Sequence, residues 1–430
     1  MTWSAIRNVI AIWVGLIAIV AIGAVAGTLA RSGDAEGRAT PVGGPAGSHI
    51  GAPPVPTSGP TPHANRDGRG GFLHPGVLVS ARQLDFVRDQ IGKGEQQWLT
   101  AYEEMAISPH ASLSWQPKPR AVVDCGPFST PDLGCRDESS DAVAAYTHAL
   151  MWYLTGNRAH ADKVIQILDA WAAVLKKHTN RNAPLQAAWS AASFVRAAEI
   201  VRYTYDGWPK AQLDRTIAMF RTVFLPLVKG GAPQAGGNWE LILLDAASGI
   251  AVFLDDRPLF EQVLQKTRSR AKTFIYLGTD GKLPRPPTGT PNTKAELVKL
   301  WYGQSTFVDG LTQETCRDFG HTAWGFAALA HIAETAWLQG VDLYAELRVR
   351  LVTALEFHVP YEQGRAVPAW LCGGKVELGL RPIPEVAYHH YAFRMKLLMP
   401  RTGVYVESKR PEGASFFYGW ETLTHAGNPF

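Results

Sequence analysis

The sequence lacks the residue spacings and charge clusters that mark many metal sites and nucleic-acid-binding surfaces. Neither CxxC nor HExxH occurs in its 430 residues, which argues against a zinc site of either pattern. Lysines and arginines are scattered, and the net charge is only +4. A clustered basic surface for nucleic acid is therefore not predicted. We expect neither a metal cofactor nor a nucleic-acid partner.

Alternating apolar and polar runs are also missing, which argues against a Rossmann fold or a β-barrel. From about residue 80 onward, apolar residues instead recur three and four positions apart, with Gly, Pro or Asn between the segments. Ser80 is expected to cap a helix that continues to Gln90, and Ser139 or Ser140 to cap a helix over Asp141 to Leu154. Further helices are expected over 159–177, 185–205, 209–225, 239–253, 257–274, 322–338 and 341–358.

Several of these helices are apolar around most of their circumference, which is typical of helices that pack on two sides. The sequence therefore predicts an all-α domain over 74–400 in the form of an α/α toroid of paired helices. A C-terminal tail, 401–430, is expected to pack on this domain as an irregular segment with short strands such as Val404-Tyr405-Val406.

The N-terminal region has a different composition. An apolar run from Val9 to Ala26 is long enough for a membrane helix, which needs about 20 apolar residues. We expect residues 1–30 to anchor the protein, although Ala24-Val25-Ala26 also fits a signal-peptidase site, and cleavage would make the protein secreted. Residues 31–73 are rich in Gly, Pro, Ser and Ala and are expected to form a disordered linker. Either alternative places the globular domain outside the cytoplasm, where we expect a monomer.

Cysteine is scarce, with four residues in the whole chain. Cys125 and Cys135 bracket a short loop rich in Pro, Gly and Ser, so a local disulfide is favoured there. Cys316 and Cys372 form a second possible pair, and the sequence alone leaves all three pairings open.

Polar residues concentrate at three interruptions of the helical pattern. The first is Gly236-Gly237-Asn238-Trp239-Glu240, and the second is Glu314-Thr315-Cys316-Arg317-Asp318-Phe319-Gly320-His321. The third runs from Arg381 to Tyr391 and contains several consecutive rings. Such groups beside apolar helices either pair with each other or meet a ligand. A helix cap by Asn238 and an internal salt-bridge cluster at the second segment are the alternatives to a site.

These motifs, in this order, resemble those of the exported all-α polysaccharide lyases of the alginate lyase type. The resembling elements are Gly237-Asn238-Trp239, Arg317-Asp318-Phe319-Gly320-His321 and the Arg381…Tyr388 pair, with further similarity at His148–Asn157 and Glu334–Tyr344. The resemblance covers about 75–400 and implies the α/α toroid. Some members place histidine directly after the asparagine, where this chain has Trp239, so His321 would supply the imidazole.

The resemblance implies metal-independent β-elimination on an anionic, uronate-containing polysaccharide such as alginate or glucuronan. Asn238, helped by Arg317, would donate hydrogen bonds to the substrate carboxylate as negative charge accumulates on it. His321 and Tyr388 would act as base and acid, in either order, with a neighbouring arginine lowering the tyrosine pKa.

Other polar and aromatic residues are candidates for substrate binding, since such groups are the usual contacts of sugars. They are Arg381, Gln186, Trp189, Tyr302, Gln304, Trp239 and His389.

Two other functions remain open at this stage. A toroidal glycoside hydrolase would need two carboxylates beside the bond, and Glu240, Glu314 and Asp318 are the candidates. A surface-tethered protein that binds polysaccharide without cleaving it would need only an aromatic cleft.

Overall fold

The computed structural model of the protein describes residues 71–231, 237–287 and 293–430. The predicted anchor, the Val9–Ala26 run within it and the linker up to residue 70 lie outside the described residues. No helix in the described part of the chain is long and apolar enough to cross a membrane.

Eight of the described helices alternate between two layers. The helices of the inner layer are α3 (Cys135–Thr155), α5 (Ala183–Thr204), α8 (Gly237–Phe253) and α11 (Phe319–Leu338), and each packs against the next. Each is followed in the chain by a helix of the outer layer, namely α4 (Arg158–Val174), α6 (Lys210–Met219), α9 (Arg257–Phe274) and α12 (Leu343–Glu362). This arrangement of helix pairs is an α/α toroid, as the sequence predicts.

The remaining elements are short or peripheral. Near the N-terminus are α1 (Ala81–Gly92) and α2 (Gln96–Ile107), and later come α7 (Leu225–Val228), α10 (Lys294–Leu300), α13 (Glu385–Tyr388), α14 (Pro400–Glu407) and α15 (Glu421–His425). The strands are β1 (Gly76–Val77), β2 (Val79–Ser80), β3 (Val122–Cys125), β4 (Asp132–Leu133), β5 (Lys177–Thr179), β6 (Ala414–Ser415) and β7 (Tyr418–Gly419).

The inner helices are buried around their whole circumference. Nearly every residue of α8 from Leu241 to Phe253 has no contact with solvent, and α5 is buried almost as completely. Alanine and glycine are frequent on these helices, and their small side chains allow close approach of neighbouring backbones. At Gly249, an added Cβ would lie 2.8 Å from the Val195 side chain and 2.9 Å from that of Val77. The apolar periodicity therefore produces a layered packing with little empty space.

The two predicted helix caps have different outcomes. Ser80 caps α1 through a capping box with Gln83, as expected. In contrast, α3 begins at Cys135 rather than at Asp141, because the Asp132 carboxylate accepts hydrogen bonds from the N–H groups of Cys135 and Arg136. Ser139 and Ser140 therefore lie inside the helix and do not cap it.

The tail is more regular than expected. Val404-Tyr405-Val406 is helical, as part of α14, and the prediction of a strand there was wrong. Pro400 at the first position of α14 favours helix initiation, and Tyr405 and Val406 are buried against the domain. The short strands β6 and β7 follow and pair as an antiparallel hairpin.

Both disulfides form. Cys125–Cys135 joins the end of β3 to the start of α3, and Cys316–Cys372 joins the segment before α11 to a loop after α12. The favoured local pairing is confirmed, and it fixes the second pair as well.

Candidate active site

The first turn of α8 meets the segment that precedes α11. Gly237 adopts a left-handed backbone (φ 58°), and its N–H donates to Gln313 Oε1 at 3.0 Å. The buried Glu314 carboxylate accepts from the main-chain N–H of Asn238 at 2.8 Å and from its side-chain Nδ2 at 3.0 and 2.8 Å. Asn238 thus belongs to the helix instead of capping it with its side chain. Its amide is oriented by a buried carboxylate.

This geometry changes the role expected for Asn238. Its Nδ2 donates to Glu314 and is not directed at a substrate. Its Oδ1 is fully buried and has no hydrogen-bond partner among the described residues. A buried acceptor without a partner costs free energy, and this oxygen is closed to solvent.

Arg317 binds the buried Glu314 carboxylate and is itself partly exposed to solvent. Its Nη1 donates to Glu314 Oε1 at 2.9 Å, and Nε lies 3.9 Å from Asp318 Oδ2. Tyr302, which is half-exposed and has a left-handed backbone, interacts with the same guanidinium. Burial raises the pKa of the Tyr302 phenol, and the charge of Arg317 offsets only part of that rise. The phenol therefore stays protonated at neutral pH.

Asp318 and His321 form a second pair in the same segment. Asp318 caps α11 by accepting the His321 N–H at 2.7 Å, and its other oxygen accepts from His321 Nδ1 at 2.6 Å. Burial alone would raise the pKa of Asp318, but the hydrogen bonds from His321 and the charge of Arg317 hold it below its usual value. A carboxylate at Nδ1 fixes the tautomer with the proton on that nitrogen, which leaves Nε2 as an acceptor. About a quarter of the His321 side chain is exposed.

An aromatic wall extends from His321. Trp324 contacts the His321 ring at 5.0 Å between centroids, Phe416 at 5.7 Å and Trp189 at 5.6 Å. Phe416 and Gln186 then line a cavity of about 300 Å³. Trp189 is buried in this wall, and Gln186 Nε2 donates to Glu138 at 2.9 Å and to neighbouring oxygens. Gln186 and Trp189, both predicted to bind substrate, therefore lie beside the cavity. Their contacts are mostly with the residues that form its walls.

Tyr388 is placed apart from this group. Its hydroxyl lies 3.5 Å from Glu407 Oε1, and burial and that carboxylate raise its pKa. The charge of Arg410 offsets only part of this rise, so the expectation of a lowered Tyr388 pKa was wrong. Arg381, the other member of that motif, donates to the Tyr418 hydroxyl at 3.4 Å.

The other predicted binding residues have structural partners. Gln304 is buried and joins the loop after Trp301 to Cys372, whose N–H donates to Gln304 Oε1 at 2.8 Å. His389 is buried, stacks on Phe393 at 5.4 Å, and has a pKa well below its usual value because of burial. Trp239 is half-buried and packs against the hydrophobic core.

The carboxylates of the hydrolase alternative are all engaged. Glu240 pairs with Arg270, Glu314 holds Asn238 and Arg317, and Asp318 holds His321. In the described part of the chain, no group of three or more His, Cys, Asp or Glu side chains is arranged to hold a metal ion.

Three residues of this site were missed or misassigned by sequence reasoning. Gln313 precedes the charged segment and binds the backbone of Gly237. Tyr302 was assigned to substrate binding alone, although it shares a guanidinium with the charged cluster. Phe416 lies in the tail, far from His321 in sequence. Only Gln313, as an immediate neighbour of Glu314, carried a local signal.

Comparisons with known proteins agree with the fold. A family model described as alginate lyase matches residues 130–367. Alginate lyase A1-III from Sphingomonas species A1 has a similar structure, with a TM-score of 0.54 and 19% identity over 76% of this chain and 93% of that chain. An alginate lyase from Bacteroides ovatus has a TM-score of 0.54 and 12% identity over 82% of this chain and 100% of that chain.

A histidine-to-alanine variant of A1-III, complexed with tetrasaccharide, is also similar. Its TM-score is 0.53, with 19% identity over 76% of this chain and 92% of that chain. No curated protein matches the sequence significantly.

Proposed function

The chain belongs to the alginate lyase family and is a polysaccharide lyase, and we propose that it cleaves a 4-linked uronate polymer by β-elimination without a metal ion. The observation that carries this proposal is the single cluster that joins Asn238, Glu314 and Arg317 to Tyr302, Asp318 and His321. Alginate and glucuronan are the substrates we favour. A1-III in complex with a tetrasaccharide supports an oligosaccharide ligand for the fold.

Arg317 neutralises the substrate carboxylate in this proposal. Removal of the C5 proton sends negative charge onto that carboxylate, and a guanidinium with several donors stabilises the charge as it develops. Glu314 accepts one Arg317 N–H at 2.9 Å and so fixes the orientation of the remaining donors.

His321 is the base that removes the C5 proton. Asp318 accepts from Nδ1 at 2.6 Å, so Nε2 is the acceptor nitrogen of the neutral ring, and the carboxylate stabilises the imidazolium that forms after proton transfer. Tyr302 is the acid that protonates the departing O4. Its raised pKa keeps the phenol protonated at neutral pH, as an acid requires. This assignment replaces Tyr388, whose hydroxyl faces Glu407.

We also propose that the protein acts outside the cytoplasm, held by its N-terminal apolar segment or secreted. Two disulfides support an oxidising compartment, and a polymeric substrate is most accessible there.

The test is an assay of the purified full-length protein on alginate, glucuronan and glycosaminoglycan-like polymers. Elimination produces an unsaturated uronate that absorbs in the ultraviolet, and a chelator should leave the rate unchanged. His321→Ala and Tyr302→Phe should each lower kcat by about 10²-fold or more, as expected for loss of a general base or acid. Tyr388→Phe is the matched control and should retain activity.

Other outcomes identify the rival functions. New reducing ends without ultraviolet absorbance would indicate a hydrolase. Binding of polymer without any new ends would indicate a non-catalytic binding protein. Loss of activity in Tyr388→Phe with full activity in Tyr302→Phe would reverse the tyrosine assignment.

A further inference from the structure

The loop closed by the Cys125–Cys135 disulfide presents an aromatic ring to solvent. Phe128 is 96% exposed, and both Phe128 and Ser129 adopt left-handed backbones with φ of 54° and 53°. The loop is restrained at its base by the disulfide and by the antiparallel pairing of β3 with β4. The Phe128 ring therefore gains almost nothing from burial, yet its backbone is held in a fixed conformation.

This loop forms one wall of the cavity that adjoins the candidate active site. Ser129 lines the cavity from the loop, Arg136 from the first turn of α3, and Phe416 from the C-terminal tail. Phe416 packs on Trp324, and Trp324 contacts His321. Two ring contacts thus connect the cavity to the proposed base.

Arg136 places a guanidinium at the cavity. Its Nε lies 3.0 Å from Asp132 Oδ2, while 88% of its side chain is exposed. Asp132 is itself fixed by the N–H groups of Cys135 and Arg136, which bind its other oxygen. The guanidinium is therefore held on its Nε side, and its terminal nitrogens face solvent. A planar guanidinium in this state is suited to bidentate binding of a carboxylate.

We propose that Phe128, Ser129 and Arg136 form an outer subsite that binds a further uronate unit of the substrate, beyond the bond that is cleaved. Arg136 binds the carboxylate of that unit, Ser129 binds a hydroxyl, and the Phe128 ring packs on the apolar face of the sugar. This inference rests on the proposed function, because it takes the same uronate polymer as its ligand. The disulfide holds the loop rigid, so little conformational entropy is lost on binding.

The test compares Phe128→Ala and Arg136→Ala with the wild type on a uronate polymer and on the shortest oligosaccharides that are cleaved. Each variant should raise KM for the polymer about tenfold, the loss expected for one charge-assisted contact or one ring contact. The rise should be smaller for short substrates that do not reach the outer subsite, and the effect should fall on KM more than on kcat. Phe128→Trp should retain the wild-type KM.

Two variants are matched controls. Lys210→Ala removes a cation that is 86% exposed and ion-paired four residues away, as Arg136 is, but outside the cavity. Leu398→Ala removes an apolar side chain that is 92% exposed. Both should leave KM unchanged, and circular dichroism should show that all variants are folded.

Failure of this inference is distinguishable from failure of the proposed function. If the wild type cleaves the polymer and both loop variants behave like the controls, the subsite is wrong and the lyase function stands. If the wild type cleaves no uronate polymer, the lyase proposal fails. Calorimetric titration of oligouronate into the same variants then decides whether the outer subsite exists. Undiminished binding by Phe128→Ala and Arg136→Ala overturns the subsite proposal.

Discussion

Glu314 is the residue on which the geometry of the site depends. It is 2% exposed, and its two oxygens accept hydrogen bonds from Asn238 and Arg317. A buried carboxylate of this kind is stable only while its donors remain in place. The charged segment before α11 therefore combines the two alternatives that its sequence left open. It is an internal ion-pair cluster and also part of the candidate active site.

We predict that Glu314→Gln lowers kcat by on the order of 10²-fold, comparable to the loss of one donor that stabilises developing charge. A glutamine side chain keeps one acceptor oxygen and places an amide N–H donor at the position of the other, so the hydrogen bonds from Asn238 and Arg317 cannot all be kept. The measurement is the initial rate of ultraviolet-absorbing product. Glu346→Gln is the control, because Glu346 pairs with Arg268 on the surface. Equal rates for the two variants would contradict this role.

At the scale of elements, the site forms where the start of one inner helix meets the start of another. Helix α8 begins at Gly237, and α11 begins at Phe319 after the Asp318 cap. Both beginnings place N–H groups and short side chains at the same end of the inner layer. The sequence indicates each helix start separately, but their contact depends on the packing of α8 on α11.

We predict that Gly237→Ala inactivates the enzyme more than it destabilises the fold. An alanine at φ 58° costs about 1–2 kcal/mol in backbone strain. Its Cβ would also lie 2.5 Å from the Glu314 carboxyl carbon and so displace that group. The comparison is Gly230→Ala, where an added Cβ meets no atom within 4 Å. Assays of product formation and thermal unfolding on both variants test this, and full activity of Gly237→Ala would refute it.

At the scale of the whole molecule, the Cys316–Cys372 disulfide joins the charged segment before α11 to a loop after α12. It closes a loop of 56 residues, whereas Cys125–Cys135 closes one of 10. In the chain-entropy account, the longer loop contributes ~4 kcal/mol and the shorter one ~3 kcal/mol to stability.

We therefore predict that replacing Cys316 and Cys372 together by serine lowers both stability and activity. The free energy of unfolding should fall by ~4 kcal/mol, because the unfolded chain regains conformational freedom. Activity should fall because Cys316 directly precedes Arg317. Chemical denaturation gives the first quantity and the product assay the second. Replacement of the Cys125 and Cys135 pair should cost less stability, and a larger loss there would contradict the loop-length argument.

A buried ionic network connects the inner layer to the tail. Arg196 of α5 and His331 of α11 both bind Asp245 of α8, at 2.8 and 3.1 Å, and His331 Nε2 lies 2.7 Å from Glu421 of α15. Burial alone would lower the pKa of His331, but Glu421 and Asp245 outweigh burial and the charge of Arg196, so its pKa is raised. Protonated His331 therefore stabilises the native state.

The pH dependence of this contribution has a definite sign. Because the folded-state pKa is raised, the stabilisation is fully present below the unfolded-state value of about 6.5 and is lost as pH rises through the folded-state pKa. The wild type should thus have a higher unfolding free energy than His331→Gln, and this difference should be larger at about pH 5.5 than at high pH. His358, whose pKa burial lowers to about 4, provides the opposite case. The free energy of unfolding of His358→Gln should rise relative to that of the wild type as pH falls below about 6.5. If the difference in unfolding free energy from the wild type changed with pH in the same direction for both variants, the argument would be contradicted.

The sequence by itself determined the layered helical architecture, because helical periodicity and the all-round apolar character of segments such as 239–253 are local properties. It also indicated the turn before Trp239 and the charged segment up to His321, where polar groups interrupt that pattern. The local disulfide followed from the short loop between Cys125 and Cys135.

Only the tertiary structure decided which of these residues act together. Glu314 is 76 residues from Asn238 in sequence, and its buried carboxylate takes up the amide donors that were expected to bind substrate. Tyr302 joins Arg317, whereas Tyr388 faces Glu407, and nothing in the order of residues distinguishes the two phenols. The partner of a polar side chain depends on how distant helices pack, and that packing is set by the whole core rather than by local pattern.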